Sequence, residues 1–156
     1  MEKNHDHFMD LALEQGRKGG ENGNVPVGSV IVRGGEVIGV GRNRVNSDTD
    51  PTAHAEVDAI RDACRNIGST DLTGAVCYTS MEPCPMCCWA IEAAGCDGVV
   101  LGSRHADFRG VAGRDYGDYS VESLMALTGR TLDLVTGVKQ AECDAVRRDW
   151  IDSGKG

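Results

Sequence analysis

Apolar positions change period several times along the chain, and each change predicts an element. Phe8, Leu11, Ala12 and Gln15 mark a weak helical face that Gly19-Gly20 should end. Val27 to Arg33 and Glu36 to Gly41 are rich in Val and Ile, and the Gly34-Gly35 pair between them reads as a two-residue hairpin turn. After Pro51 a helix should start near His54, with Ile60, Ala63, Cys64 and Ile67 at helical spacing. Ala75 to Ser80 and Gly98 to Gly102 read as short buried strands. Between them Pro85 to Ala94 is apolar nearly all round, so this helix should be buried. Leu132 to Thr136 gives a fifth strand, and the last helix should carry Val138, Ala141, Ala145, Val146 and Trp150 on one side. The long connection from Ser103 to Thr128, with a short helix expected at Val121 to Leu127, is of the kind that is more often functional than idle. Strands alternating with helices predict a three-layer α/β/α sandwich around a central mixed five-stranded sheet. A chain of 156 residues suits one domain spanning 1–156.

Charge narrows the partners. The chain carries a net charge of −8, and its aromatic content is only 4%, which argues against a phosphate-gripping or base-stacking nucleic-acid surface. The basic residues are scattered: Arg42, Arg44, Arg104, Arg109, Arg114, Arg147 and Arg148. A small, neutral substrate fits this balance better than a polyanion, although a local basic patch would leave nucleic acid open. No apolar run approaches the ~18–20 residues that span a membrane, and Met1 to His7 is not a secretory leader. Seven cysteines, an odd number, then suggest reduced thiols in the cytoplasm, some of them metal ligands. Cys64, Cys77, Cys96 and Cys143 lie among apolar neighbours and read as small core residues.

Two fragments carry chemistry: Pro51-Thr52-Ala53-His54-Ala55-Glu56 and Glu82-Pro83-Cys84-Pro85-Met86-Cys87. Each lies where a helix should begin. Pro85 suits the first helical position, Cys84 falls at the cap and Cys87 one turn on, so the positive end of the helix dipole favours thiolate at both. Two thiolates plus His54 from the other helix start make a three-ligand zinc site with one position open, the catalytic rather than the structural pattern. Zinc can bring the pKa of a bound water from ~15.7 to about 7. Glu56, two residues past His54, can stand beside that water and shuttle its proton. Cys88 looks like a spare ligand but points about 100° round the helix from Cys87, which suits core packing.

His-x-Glu followed by Pro-Cys-x-x-Cys is the signature of zinc nucleobase deaminases, and the chain resembles the cytidine-deaminase-like superfamily across nearly its whole length. PTAHAEVDAIRDAC and YTSMEPCPMC look most like bacterial guanine deaminases, free-base cytosine deaminases and tRNA adenosine deaminases. The resemblance implies one zinc on His54, Cys84 and Cys87, Glu56 as catalytic proton shuttle, and Asn43 hydrogen-bonding the bound ring. It also implies backbone N–H groups of Ala55 and Cys84 facing the substrate, and a homodimer or larger assembly. Phe108 is a candidate lid aromatic against the ring, or a hydrophobic anchor.

Departures from the pattern lie in the long connection and the tail. Asp107 to Gly113 replaces the Lys-Thr-Gly-Ala-Ala-Gly-like stretch of the tRNA enzymes, and Arg114-Asp115-Tyr116-Gly117-Asp118-Tyr119 follows it. These four acidic and aromatic positions read as surface loop. The aromatic-rich lid of guanine deaminases is missing, and the acidic tail of yeast-type cytosine deaminases is short or absent, since the chain stops six residues after Trp150. His105 has no paired ligand spacing and is expected to be exposed; His5 and His7 are expected to be idle; Trp150 suits core closure better than stacking on a substrate.

Three functions compete. The first is hydrolytic deamination of a free nucleobase or related small amino-heterocycle, of cytosine or guanine type. The second is editing of adenosine to inosine in a tRNA loop. The third, of another class, is a non-catalytic zinc-stabilised binding module, which needs a fourth ligand from Cys88 or His105.

Overall fold

Gly34 and Gly35 both take positive φ, 62° and 79°, the conformation a tight hairpin turn demands and that glycine adopts without a Cβ clash. They join β1 (Gly28–Arg33) to β2 (Glu36–Arg42). The structure, a computed structural model, describes residues 4–111 and 115–155; Ala112, Gly113 and Arg114 of the long connection lie outside the described residues. The remaining strands are β3 (Ala75–Met81), β4 (Gly98–Ser103) and β5 (Asp133–Val135). The sheet has the order β2-β1-β3-β4-β5. β1 is antiparallel to both β2 and β3, whereas β3-β4 and β4-β5 are parallel. The predicted mixed sheet of five strands is therefore present.

Side chains alternate across the sheet and sort into two cores. Ile31, Cys77, Val99 and Leu101 point to one face, where they meet α3 (Ala55–Ile67), α4 (Pro85–Ala93) and α5 (Val121–Thr128). Val30, Val32, Tyr78 and Val100 point to the other, against α1 (His5–Glu21) and α6 (Gln140–Trp150). Glycines set how closely the layers approach. A Cβ on Gly39 would sit 2.7 Å from the Ala59 carbonyl, and one on Gly41 would run into the Ala55 carbonyl and the Ala59 amide. β2 is thus bare where α3 crosses it, and the helix start at His54 is drawn down to the sheet. Gly102 does the same for α6, since a Cβ there would strike Cys143.

Several expectations are corrected by tertiary packing. α1 does not stop at Gly19-Gly20 but runs to Glu21, because Gly16 and Gly19 lie against the backbone of Pro26, Gly28 and Asn43. α3 buries Ala55, Glu56, Ala59 and Ala63, leaving Ile60, Cys64 and Ile67 only partly covered. α4 is not buried all round: Cys87, Cys88 and Ile91 are, but Met86 and Trp89 are 38% and 41% exposed. In α6 the inward residue is Cys143, and Ala141 and Ala145 face outward. A one-turn helix, α2 (Val45–Asp48), was not expected. His5 is not idle, for its Nδ1 lies 2.7 Å from the Tyr78 hydroxyl. His7 packs edge-on to Phe8, with ring centroids 5.1 Å apart. The long connection is structured by a 3-10 turn at His105–Phe108 and by α5. Cys77, Cys88, Cys96 and Cys143 are core residues, as expected.

Candidate functional site

His54 and Cys84 occupy equivalent places on two helices. Each is the N-cap residue, His54 of α3 with φ −71° and ψ 157°, Cys84 of α4 with φ −66° and ψ 171°. Extended backbone at the cap turns the side chain away from its own helix, and Pro85 at the next position starts α4 at no cost in hydrogen bonds. Cys84 follows the C-terminal end of β3, where parallel strands commonly open onto a ligand crevice. Cys87, one turn into α4, is fully buried.

The three donors converge. His54 Nδ1 lies 3.5 Å from Cys84 Sγ and 3.4 Å from Cys87 Sγ. All three donor atoms fall within 4.8 Å of one another. A tetrahedral zinc with ordinary Zn–N and Zn–S bonds needs an N···S edge of about 3.6 Å, so this donor set fits the ion. Neither Cys88 nor His105 joins the group among the described residues. The Cys84 thiol is lowered to about 4, first by the hydrogen bond from Cys87, against burial, and further by His54 and the Cys87 amide. Thiolate is the form a metal requires.

Glu56 sits in the first turn of α3, 4% exposed. Burial pushes its carboxyl up to about 7, and the nearby Cys84 charge adds to the rise, while its own backbone amide, His54 and Thr79 pull it back. A buried carboxyl beside three donors that could hold a metal can take up a proton or give one up near neutrality.

His54, Glu56 and Cys84 line a cavity of about 510 Å³. Asn43, Ala55, Glu56 and Phe108 line it with His54 and Cys84, so the positions proposed from sequence come together. Asn43 is buried, and its Oδ1 accepts from the Val45 amide at 3.1 Å, so it also shapes the chain after β2. The Ala55 amide, at the start of α3, has no acceptor among the described residues. Phe108 is buried, with the Arg148 guanidinium 4.8 Å from its ring centroid.

The remaining wall was not anticipated. His105 is half-buried rather than exposed, packs at a tilt against Tyr116 with ring centroids 4.7 Å apart, and lines the cavity with Asp115, Tyr116 and Arg147. Burial pushes its imidazole below the ordinary value. Asp118 is fully exposed, as a loop residue should be, but Tyr119 is not a surface residue: its hydroxyl donates to the Pro83 carbonyl at 2.6 Å. Beneath this wall Glu82 is 2% exposed and accepts from Arg104 Nη2 at 2.9 Å, and from the amides of His105 at 3.1 Å and Val121 at 3.0 Å. That one carboxylate ties the end of β3 to the long connection and to α5. His105 lies two residues beyond β4, so position after a parallel strand was the available signal; Arg147 had none.

Comparison with known proteins agrees with this geometry. Residues 2–103 match the cytidine and deoxycytidylate deaminase zinc-binding region. The chain is 44% identical over 107 residues to a guanine deaminase of Bacillus subtilis, covering 67% of each chain. It is 38% identical over 106 residues to a tRNA-specific adenosine deaminase of Aquifex aeolicus, covering 68% of this chain and 70% of that one. A solved structure from studies of A-to-I editing by tRNA:A34 deaminases superposes with a TM-score of 0.79 at 33% identity, covering 90% of this chain and 98% of the other. A converging His-Cys-Cys triad, a buried glutamate beside it and a match over residues 2–103 lead to one conclusion: the chain belongs to the cytidine and deoxycytidylate deaminase zinc-binding family, whose members are hydrolytic enzymes acting on C–N bonds.

Proposed function

We propose that this deaminase removes the exocyclic amino group of a small nucleobase-like ring, of cytosine or guanine type, replacing it with oxygen from water and releasing ammonia. The observation that carries the reading is the buried Glu56 carboxyl beside the His54-Cys84-Cys87 donors in the wall of a cavity. His54, Cys84 and Cys87 would hold one zinc, which when bound supplies the Lewis acidity that makes water a nucleophile near pH 7. Glu56 takes one proton of the attacking water to the ring nitrogen, then carries the second, from the added hydroxyl, to the amine that leaves as ammonia. The Asn43 amide NH2 and the Ala55 N–H orient the ring, and Phe108 packs on it. The cavity volume of about 510 Å³ lies in the ~300–1,000 Å³ range of small-molecule sites, and the charge of −8 disfavours a polyanion.

A second reading, adenosine deamination in a tRNA loop, draws support from the likeness to the tRNA:A34 deaminase structure. Ammonia release from cytosine, guanine, adenine and related triazines, set beside an anticodon stem-loop RNA, separates the two. Turnover of a small base that stops in Glu56→Gln supports the first. Turnover of the RNA alone, with salt-sensitive binding, transfers the same site to the second. The apolar Met86 and Trp89 exposed on α4 support a homodimer. Among the described residues no helix is long and apolar enough to cross a membrane.

A further inference from the structure

Arg147 lines the cavity and, among the described residues, makes no ion pair with any carboxylate. Its Nε and Nη1 are enclosed and have no hydrogen-bond partner among the described residues. Arg109, also in the wall, donates to the Gly117 carbonyl and pairs with Asp118 at 3.9 Å. Asp115 lines the same cavity, but its carboxylate accepts from the Gly117 amide at 2.7 Å and makes no ion pair with Arg147. Of the other wall carboxylates, Glu82 is held by Arg104, and Glu56 lies with the Cys84 and His54 charges. The electrostatic neighbour of Arg147 is the Tyr116 phenol.

The fold holds the guanidinium there deliberately enough to matter. Gly102 lets Cys143 press onto β4, the Ser103 hydroxyl donates to Asp144 at 2.5 Å, and Arg147 follows Cys143 by four residues on the same face of α6. Trp150 lies beneath it, with the guanidinium carbon 5.0 Å from the ring centroid. His105 lines the cavity with Cys84 and Arg147, and the charges of both act on it. Its Nε2 is a third enclosed atom without a hydrogen-bond partner among the described residues. Burying an unpaired guanidinium is costly, and so is leaving its donors without acceptors. A ligand that brings anionic oxygens to this end of the cavity removes both costs.

We propose that Arg147, with His105 beside it, is the specificity-determining end of the cavity and recognises an anionic group, a phosphate ester or a carboxylate, carried by the small heterocycle whose amino group is removed at the Glu56 end. This rests on the small-substrate reading and revises it: bulk charge alone suggested a neutral substrate, whereas the wall favours a singly anchored anionic one. The ring lies between the two ends, and the anion is held by charge-assisted bonds from the guanidinium, which match carboxylate and phosphate geometry.

The test uses the zinc-loaded full chain and matched substrates: cytosine, cytidine and cytidine 5′-monophosphate, the guanine counterparts, 5-carboxycytosine and a stem-loop RNA. The charged member of a set should exceed its uncharged parent in kcat/KM by about 30-fold, the worth of a charge-assisted pair. The phosphate and carboxylate arms show which anion is taken. In Arg147→Gln the charged-to-uncharged ratio should fall towards one, and Arg147→Lys should restore part of it. Calorimetric binding of the phosphorylated product should weaken by the same factor, and inorganic phosphate should compete with the charged substrate on the wild-type chain, which covers the case where Arg147→Gln does not fold. Equal turnover of charged and uncharged members, or a ratio that Arg147→Gln leaves intact, overturns the role of Arg147 while the small-substrate reading stands. Turnover of the RNA with no small heterocycle deaminated overturns both.

Discussion

The two ends of the cavity are built in different ways. At one end His54, Glu56, Cys84 and Cys87 all sit within the first turn or the cap of a helix, two helix starts meeting beyond the end of the central strand β3. At the other, His105, Phe108, Tyr116 and Arg147 come from a 3-10 turn, an irregular connection and the last helix. The first end is a product of local rules: cap positions, a proline at the first helical residue, bare glycines under α3. The second exists only because distant segments are tied together, chiefly through Glu82. The lesson is that reaction chemistry is placed by short-range geometry, and choice of substrate by long-range assembly.

If that division is right, damage to each end should register differently. The largest effect should come from Glu56→Gln, which keeps the shape of α3 but removes the proton carrier; kcat should fall by about 10³-fold. Metal content by mass spectrometry should stay at one zinc per chain, and zinc loss would merge the proton and metal roles that the comparison keeps apart. Next is Glu82→Ala. Removing a carboxylate that is 2% exposed leaves two backbone amides without their acceptor and Arg104 with Glu122 alone. This should cost about 3 kcal/mol, or roughly 6–12 °C in Tm by calorimetry. Substrate KM should suffer more than zinc affinity, because the far wall loosens while the donor triad stays on its helices.

Gly41→Ala attacks the first end through its support. A Cβ there meets the α3 backbone at Ala55 and Ala59, so about 2 kcal/mol of overpacking is expected, with weaker zinc retention under chelator challenge. An unchanged chelation rate would show that the helix start does not depend on that close approach. The smallest effect separates the two duties of Asn43. Asn43→Asp keeps an acceptor for the Val45 amide but replaces the NH2 donor. Tm should hold while kcat/KM falls about 10-fold; an equal loss of both would make Asn43 a turn residue only.

Legibility followed the same division. His54, Glu56, Cys84 and Cys87 could be read from spacing because each signal and its helix start lie within a few residues, and the strands could be read because a short Val- and Ile-rich or apolar run is itself a local signal. Helix faces were misread where packing overrode composition: α1 continues through Gly19-Gly20 because the strand backbone needs that room, and the apolar Met86 and Trp89 stay exposed on α4. Arg147 could not be found, since nothing near it in sequence says that Gly102, more than forty positions earlier, draws α6 down onto β4. His105 was passed over for lack of a ligand partner, a test suited to metals but not to a residue that shapes a wall.

The central claim is that one imidazole and two thiolates, and no fourth side chain, hold a single zinc at the meeting of two helix starts. X-ray absorption at the zinc edge on the purified chain tests it most directly. Two sulfurs at about 2.3 Å and one imidazole nitrogen at about 2.0 Å per zinc are expected, with one sulfur lost in Cys87→Ser. Three or more sulfurs, a second imidazole, or no sulfur at all would contradict it.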